Sequence, residues 1–455
     1  MVKTAGKKLS RTMNKLFSLL TTVVFLSSCS MQHAIQKNAK KHLINDPALA
    51  HAHVGIAIHD PSTNKYTYQH QADKLFIPAS NVKIVTAYAA LKNLPEFLPS
   101  AVWTELDTAI LITPMGDPSF LHPDFKKHPL FDRFKSASKP LYMRNDNWNT
   151  SAIGNGWSTD DYNEDYQAER NAFPVYGNLI QWFQERSIKE NPTTPQDTTD
   201  TFIYSNPEIN WSVDFGKSSN NFQVKRKEHD NFFVLSEGKE KSATQAVPFI
   251  TNGLLSGLTL LKDSLGKAVQ IADEELIQYS KGQSGIIINS QHRDSLLQKM
   301  MYRSDNFYAD QSLLMISQLL LSRMDEAAII QELIKKDLSQ LPVKPRWTDG
   351  SGLSRYNQFS PSDMIVVLNQ LKAEQEWQKI KTIFPKAGQG TLRALSDKRE
   401  EFIYAKSGSM SGIYCLSGYV FTKKGKWMNF SIMVNNHDSN TSTVRKKVEA
   451  FLQSL

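Results

Sequence analysis

Residues 81–93 carry Val82, Ile84, Val85, Tyr88, Ala89 and Leu91 around most of a helical circumference. A helix apolar on nearly every side needs protein packed all round it. It therefore belongs at the middle of a domain, and 455 residues allow about two or three domains of ~100–200 residues each. Its first turn holds Ser80 and Lys83, three apart and so neighbours on one face. Two polar groups at a buried helix start must find partners from elsewhere in the chain. On this pair alone, a nucleophile beside its base and an ordinary polar turn both stay open, because S-x-x-K is a common spacing.

What could surround such a helix is legible at both ends of the chain. "HVGIAIHDPSTNKYTYQHQ" predicts a hairpin, with Val54, Ile56 and Ile58 on one face, a "DPSTNK" turn, and Tyr66 and Tyr68 on the return strand. His51, His53 and His59 fall on the opposite face with no acidic or Cys partner nearby, which argues for structural or solvated side chains rather than a metal site. Near the C-terminus "EFIYAKSG", "IYCLSGYVFT" and "WMNFSIMVNN" predict three successive strands, and "TSTVRKKVEAFLQSL" an amphipathic helix. Helical texture fills Ser290 to Ser322, and "SPSDMIVVLNQLKA" opens on a Ser-x-x-Asp capping pattern. The fold class expected is α/β, an antiparallel sheet flanked by helices. Between 97 and 288 short strands and polar turns dominate, predicting one or two inserted β-rich subdomains, with "ENPTTPQDTTDT" as the linker candidate. The remaining stretches, 29–96 plus 289–455, would then make up one domain.

The N-terminus reads as an export signal. Lys3, Lys7, Lys8, Arg11 and Lys15 precede the apolar run Leu16 to Leu26, too short to span a bilayer comfortably. "LSSC" resembles a bacterial lipobox, which implies a leader over 1–28 and a lipid on Cys29; a plain signal peptide with an incidental Cys29 is the competing reading. Residues 30–45 then read as a polar tether leading into a helix, with Lys37, Lys40 and Lys41 solvated. The chain would sit on the periplasmic face of a bacterial envelope, touching membrane only through that lipid. Cys29 and Cys415 are the two cysteines, so a lipidated Cys29 leaves Cys415 a buried free thiol with no disulfide framework. The net charge of +8 falls to about +3 once the leader's five cations are removed. No Lys/Arg patch interleaved with aromatics stands out, so nucleic-acid binding is not expected. Gly388 and Gly390 in "GQG" lack a following GK[ST] and read as a tight turn, not a phosphate loop.

Three short motifs line up in order: "SNVK" with Ser80 and Lys83, "SDN" with Ser304, Asp305 and Asn306, and "KSG" with Lys406, Ser407 and Gly408. Each alone is weak. Together, on a helix start, a turn into a helix and a strand end, they form the signature of penicillin-recognising serine enzymes. The mature chain resembles the low-molecular-mass class C penicillin-binding proteins, the D-alanyl-D-alanine carboxypeptidase/endopeptidase family. "GDPSF" at 116–120, "DGSGLSRYN" at 349–357, "FPKAGQGTL" at 384–392 and "KSGSMSGIYCLSGYV" at 406–420 are similar to that family too. The 224 residues between Ser80 and Ser304 leave room for its inserted domains.

The resemblance implies a penicillin-binding, serine β-lactamase-like transpeptidase fold and a division of labour. Ser80 is the nucleophile. Lys83 is its base, effective only when neutral, and both burial and the charge of Lys406 would push its pKa down. Ser304 relays a proton between Lys83, Lys406 and the leaving amine; Asn306 orients Lys83 and holds a substrate carbonyl. The backbone N–H groups of Ser80 and Ser409 form an oxyanion hole. Lys406, Ser407, Gly408 and Ser409 line the place of a terminal carboxylate. Asp305 points away and is structural. Asp161, after "GW", matches an acid that contacts the free amine of the stem peptide's diamino acid; a solvated loop is the competing reading. Substrates would be peptidoglycan stem peptides, β-lactams would acylate Ser80, and no metal or cofactor is implied. Two rivals stand beside this: a serine β-lactamase, against which the long insertion and the absence of an E-x-x-L-N acid argue ("NPEINW" at 206–211 is only faintly similar), and a catalytically silent peptidoglycan-binding lipoprotein. Oligomeric state is not legible.

Overall fold

The computed structural model describes residues 32–455 except 190–197, 397, 398 and 400. Cys29, the leader and most of the "ENPTTPQDTTDT" segment lie outside the described residues.

A five-stranded sheet organises the part of the chain outside the inserted stretch. Its strands are β1 (His53–Asp60), β2 (Lys65–His70), β3 (Ile403–Met410), β4 (Ile413–Phe421) and β5 (Trp427–Asn435), in the order β3-β4-β5-β1-β2 with every neighbour antiparallel. The chain's two ends meet where β1 pairs with β5, His53 opposite Asn435. Both faces are covered, so the strands read as apolar runs rather than clean alternations. Ile413, Cys415, Tyr419 and Met433 face one core; Tyr414, Leu416, Val420, Ile432 and Val434 face the other.

The first core is helical. It is built from α1 (Val82–Asn93), α2 (Arg293–Arg303), α3 (Asn306–Leu321) and α4 (Pro361–Glu374). Every residue of α1 from Val82 to Leu91 is buried, as the all-round apolar pattern predicts. Each large side chain so buried contributes about 1.5–3 kcal/mol, which anchors this helix in the core. The capping box of α4 is present: Asp363 N donates to Ser360 Oγ at 3.0 Å and Ser360 N to Asp363 Oδ2 at 2.9 Å.

The second core lies under the C-terminal helix α5 (Thr441–Ser454), where Val444, Val448, Phe451 and Leu452 meet the sheet. Here the expected tether is corrected. Residues 32–39 are helical and run into one wider turn, Lys40–Ile44, and Ile35, Ala39 and Leu43 are buried in this core. Their i, i+4, i+8 spacing makes one narrow apolar stripe inside a polar composition. Lys37, Lys40 and Lys41 remain exposed. His51 and His53 are exposed as well, while His59 is buried edge-on to Tyr66.

The inserted stretch is not β alone. A five-stranded sheet runs in the order Val269–Ile271, Leu141–Met143, Ile110–Pro114, Phe97–Glu105, Ile286–His292, and includes parallel pairs. Helices Pro129–Ser136 and Leu255–Leu265 pack on it, contributing Leu130, Phe134, Leu258 and Leu261 to its core. Helix Pro129–Ser136 offers only a few apolar residues, and the leucines of Leu255–Leu265 sit in a stretch of short strands and turns where an apolar run reads equally as a strand. Two three-stranded sheets follow, sharing a small core around Trp182, Phe233 and Phe249.

Candidate active site

Ser80 sits in a single 3-10 turn, Ala79–Asn81, that leads into α1. Two backbones press against this turn. At Gly352 (φ +81) an added Cβ would lie 2.0 Å from Ala79 O, and at Gly408 it would lie 2.8 Å from Ser80 N. Both positions exclude any side chain, so the "DGSG" and "KSG" glycines let a loop and strand β3 close on the helix start from two sides. Gly408 is thus a point of close approach rather than a side-chain contact. Ala79 is itself left-handed (φ 46), and so is Ser304 (φ 62). Both serines stand on turns that non-glycine residues adopt only when their surroundings hold them there.

The five motif residues meet as two lysine–serine pairs. Lys83 Nζ donates to Ser80 Oγ at 3.0 Å, to Asn306 Oδ1 at 2.6 Å and to the Ser351 carbonyl at 2.7 Å. Lys406 Nζ donates to Ser304 Oγ at 2.9 Å and to the Ser407 carbonyl at 2.6 Å. Both lysines are fully buried. Burial pushes the Lys83 ammonium down to about 8, against the pull of the Asp310, Asp349 and Asp305 carboxylates. Burial and the charge of Lys83 push Lys406 well below the ordinary lysine range. The expected cause for Lys83 is therefore half right: complete burial lowers it, and the charge effect runs from Lys83 onto Lys406.

Behind Lys83 lies a hub that sequence reasoning missed. Asp349 accepts from Gly352 N (2.7 Å), Ser354 N (2.6 Å), Trp157 Nε1 (2.9 Å) and Asn357 Nδ2 (2.8 Å). Asp310 accepts from Ser351 N at 2.8 Å, and burial together with the Asp349 charge raises its carboxyl well above the usual range. The hub fixes the loop whose Ser351 carbonyl receives Lys83. "DGSGLSRYN" signalled the loop, but a backbone acceptor leaves no mark on residue type.

The cleft in front of Ser80 has a volume of about 770 Å³, and its lining includes Asp161, Tyr166, Ser304, Asn306, Arg355 and Ser409. This size suits a small ligand or a peptide segment. Ser409 is exposed in the wall on edge strand β3; Ser407 is half-buried and offers its carbonyl to Lys406. Asp161 lines the cleft beside Tyr166, whose hydroxyl is pushed up to about 12 by burial and by the nearby acid. The Tyr166 carbonyl accepts from Asn306 Nδ2 at 3.0 Å. Nothing in the sequence singles out Tyr166. Asp305 turns away and caps α3, accepting from Tyr308 N at 2.9 Å. Cys415 is a buried free thiol, raised to about 12 by burial.

Residues 35–455 match the family described as D-Ala-D-Ala carboxypeptidase 3 (S13). A D-alanyl-D-alanine carboxypeptidase of Actinomadura sp. (strain R39) is 23% identical over 441 residues, 87% of this chain and 80% of that protein. Another, from Haemophilus influenzae, is 28% identical over 171 residues, so that alignment spans 35% of this chain and 36% of that relative. The crystal structure of penicillin binding protein 4 from Haemophilus influenzae is similar in fold, with a TM-score of 0.69 at 18% identity over 92% of this chain and 97% of that one. The same protein has been solved with a β-lactam, at a TM-score of 0.65, 17% identity and the same coverage.

Proposed function

We propose that this chain, which belongs to the D-Ala-D-Ala carboxypeptidase 3 (S13) family, is a serine hydrolase that cleaves D-Ala-D-Ala bonds, D-Ala–diamino-acid bonds, or both, in peptidoglycan stem peptides through an acyl-enzyme on Ser80. The observation that carries this reading is the 3.0 Å contact between Lys83 Nζ and Ser80 Oγ at a buried site where the lysine is lowered to about 8. A hydroxyl needs a base to become a nucleophile, and a lysine serves only when neutral.

The steps follow from these positions. Neutral Lys83 takes the Ser80 proton as Oγ attacks the carbonyl carbon of the penultimate D-alanine. The oxyanion is met by the Ser80 and Ser409 N–H groups, the first at a helix start where the dipole favours negative charge. Asn306 holds the substrate amide carbonyl with the N–H its Tyr166 contact leaves over, since an amide carries two donors. The C–N bond breaks as Ser304, bonded to Lys406, passes its proton to the leaving amine and regains one from the protonated Lys83, which is then neutral again and takes a proton from the water that attacks the ester. Water then cleaves the ester and returns the enzyme. The terminal carboxylate of the substrate lies against Lys406, Ser407 and Ser409, and its charge favours reprotonation of the depressed Lys406. In the outer wall Asp161 and Arg355 offer opposite charges, which suits the amine and carboxylate of a diamino-acid side chain.

β-Lactams acylate Ser80 and leave slowly. Glu208, in the stretch that faintly resembles a lactamase acid, is exposed on the inserted part and is not among the cleft-lining residues. That favours a penicillin target over a β-lactamase. The intact lysine–serine pairs favour an enzyme over a silent wall-binding protein. Export and lipidation at Cys29 would hold the enzyme at the envelope, in contact with membrane through the lipid alone. Crosslinked muropeptides test the whole reading: wild-type protein should consume dimers, release D-alanine, or both, and Ser80→Ala should do neither. Wild-type protein that leaves both dimers and D-alanine termini intact overturns it.

A further inference from the structure

The turn that carries Ser304 and Asn306 is held from outside the catalytic part. It joins α2, which ends at Arg303, to α3, which begins at Asn306 with Asp305 as its cap. The Arg303 guanidinium forks onto Asp124, Nη1 to Oδ1 at 2.7 Å and Nη2 to Oδ2 at 2.6 Å, and reaches Asp305 Oδ2 at 3.0 Å. Tyr308 donates its hydroxyl to Asp124 Oδ2 at 2.8 Å and its backbone N–H to Asp305 Oδ1 at 2.9 Å. Arg303, Asp124, Tyr308 and Asp305 thus close a ring around the turn. Three members belong to the turn and its helix; Asp124 comes from the inserted part, in the loop before helix Pro129–Ser136. His122 tightens that loop, its Nδ1 accepting from Asp124 N at 3.1 Å and its ring packing 5.1 Å from Tyr308.

We infer that Asp124 is a positioning residue for the Ser304–Asn306 turn, through which the inserted part sets the placement of both lysine–serine pairs. A forked arginine–carboxylate pair fixes direction as well as distance. The left-handed Ser304 is closed locally by its own N–H and that of Asp305, both donating to Met300 O; the fork to Asp124 adds the direction in which that turn faces the two lysines. Relaxation there would move Ser304 Oγ from Lys406 and Asn306 Oδ1 from Lys83 together. Burial alone would raise the Asp124 carboxyl; the hydrogen bonds from Arg303 and Tyr308 outweigh it and hold it at about 2, so the clamp is ionised throughout the working range. The insertion is then part of the catalytic geometry and more than a substrate-side appendage.

The inference rests on Ser80 being the acylated residue, and its test separates the two. The first-order constant and the half-saturating concentration for acylation by a fluorescent penicillin are measured on the full chain. Asp124→Asn should lower the first-order constant about 10–100-fold, as expected for a sub-ångström to ångström displacement, with half-saturation within about twofold. Tyr308→Phe, which removes one hydroxyl from a preserved core, should lower it about threefold. The double variant should be no slower than Asp124→Asn, because both changes act on one carboxylate. Asp124→Asn acylating within about twofold of wild type overturns the inference, as does a loss that only tracks the unfolded fraction in a thermal melt. If Asp124→Asn does not fold, an unchanged rate in Tyr308→Phe overturns it. Wild-type protein that takes no penicillin overturns the reading of Ser80 and this inference with it; an acylated wild type beside an equally fast Asp124→Asn overturns this inference alone.

Discussion

The floor and the wall of the cleft are built on opposite terms. In the floor Lys83 and Lys406 are fully buried, and the contacts that hold them are backbone carbonyls, serine hydroxyls and one amide. Each polar group there depends on the next, from Asp349 through the Ser351 loop to Lys83. In the wall Tyr166, Arg355 and Ser409 are exposed to solvent and Asp161 is partly so. Charges that stay hydrated interact weakly and tolerate change; buried ones carry their full desolvation cost and tolerate little. On the proposed function, the contrast would put chemistry on the floor and substrate choice on the wall.

Substitutions can break or sharpen that contrast. The largest effect should come from Lys83→Met, which removes the base while keeping a side chain of similar length. Acylation by penicillin should fall about 10³-fold or more, near the upper range for general-base catalysis, in a stopped-flow or quench assay; a fall of less than tenfold would move the base elsewhere. Next is Asp349→Ala. It leaves four buried donors without their acceptor and should cost about 3 kcal/mol or more of stability, read in a urea unfolding series. An unfolding midpoint equal to wild type would mean the hub does not hold the Ser351 loop.

The pH dependence should be moderate and directional. On the proposed mechanism only neutral Lys83 takes the Ser80 proton, and burial pushes its ammonium down to about 8. The acylation constant should therefore climb about tenfold per unit below that value and level off above it. A profile flat from pH 6 to 9 would contradict a titrating lysine at the floor. The smallest effect belongs to the wall. Asp161→Asn should weaken KM for peptides with a free diamino-acid amine by about 3–10-fold, leaving penicillin acylation unchanged. An equal loss with both substrates would dissolve the distinction between wall and floor.

Much of the floor is legible in the sequence, because nucleophile–base chemistry calls for fixed residue types at fixed spacings. Ser80, Lys83, Ser304, Asn306 and Lys406 do converge, and the all-round apolar pattern of 81–93 does mark the buried central helix. What escaped has physical reasons. The Ser351 carbonyl is an acceptor any residue would supply. Tyr166 and Asp349 matter through where distant loops bring them. Residues 32–44 hide a three-residue apolar stripe among lysines, and the two helices of the inserted part lie among short strands whose apolar residues mask their spacing. Asp124 lies in an unremarkable His-Pro-Asp turn, and only its fork with Arg303 reveals it.

The central claim, a serine made nucleophilic by a buried lysine one turn away, is tested most directly by mass. Wild-type protein incubated with benzylpenicillin and analysed intact should gain one penicilloyl adduct, and peptide mapping should find it on the segment holding Ser80. The adduct should persist for many minutes after excess drug is removed. No adduct on wild type, or an equal adduct on Ser80→Ala, would contradict the account.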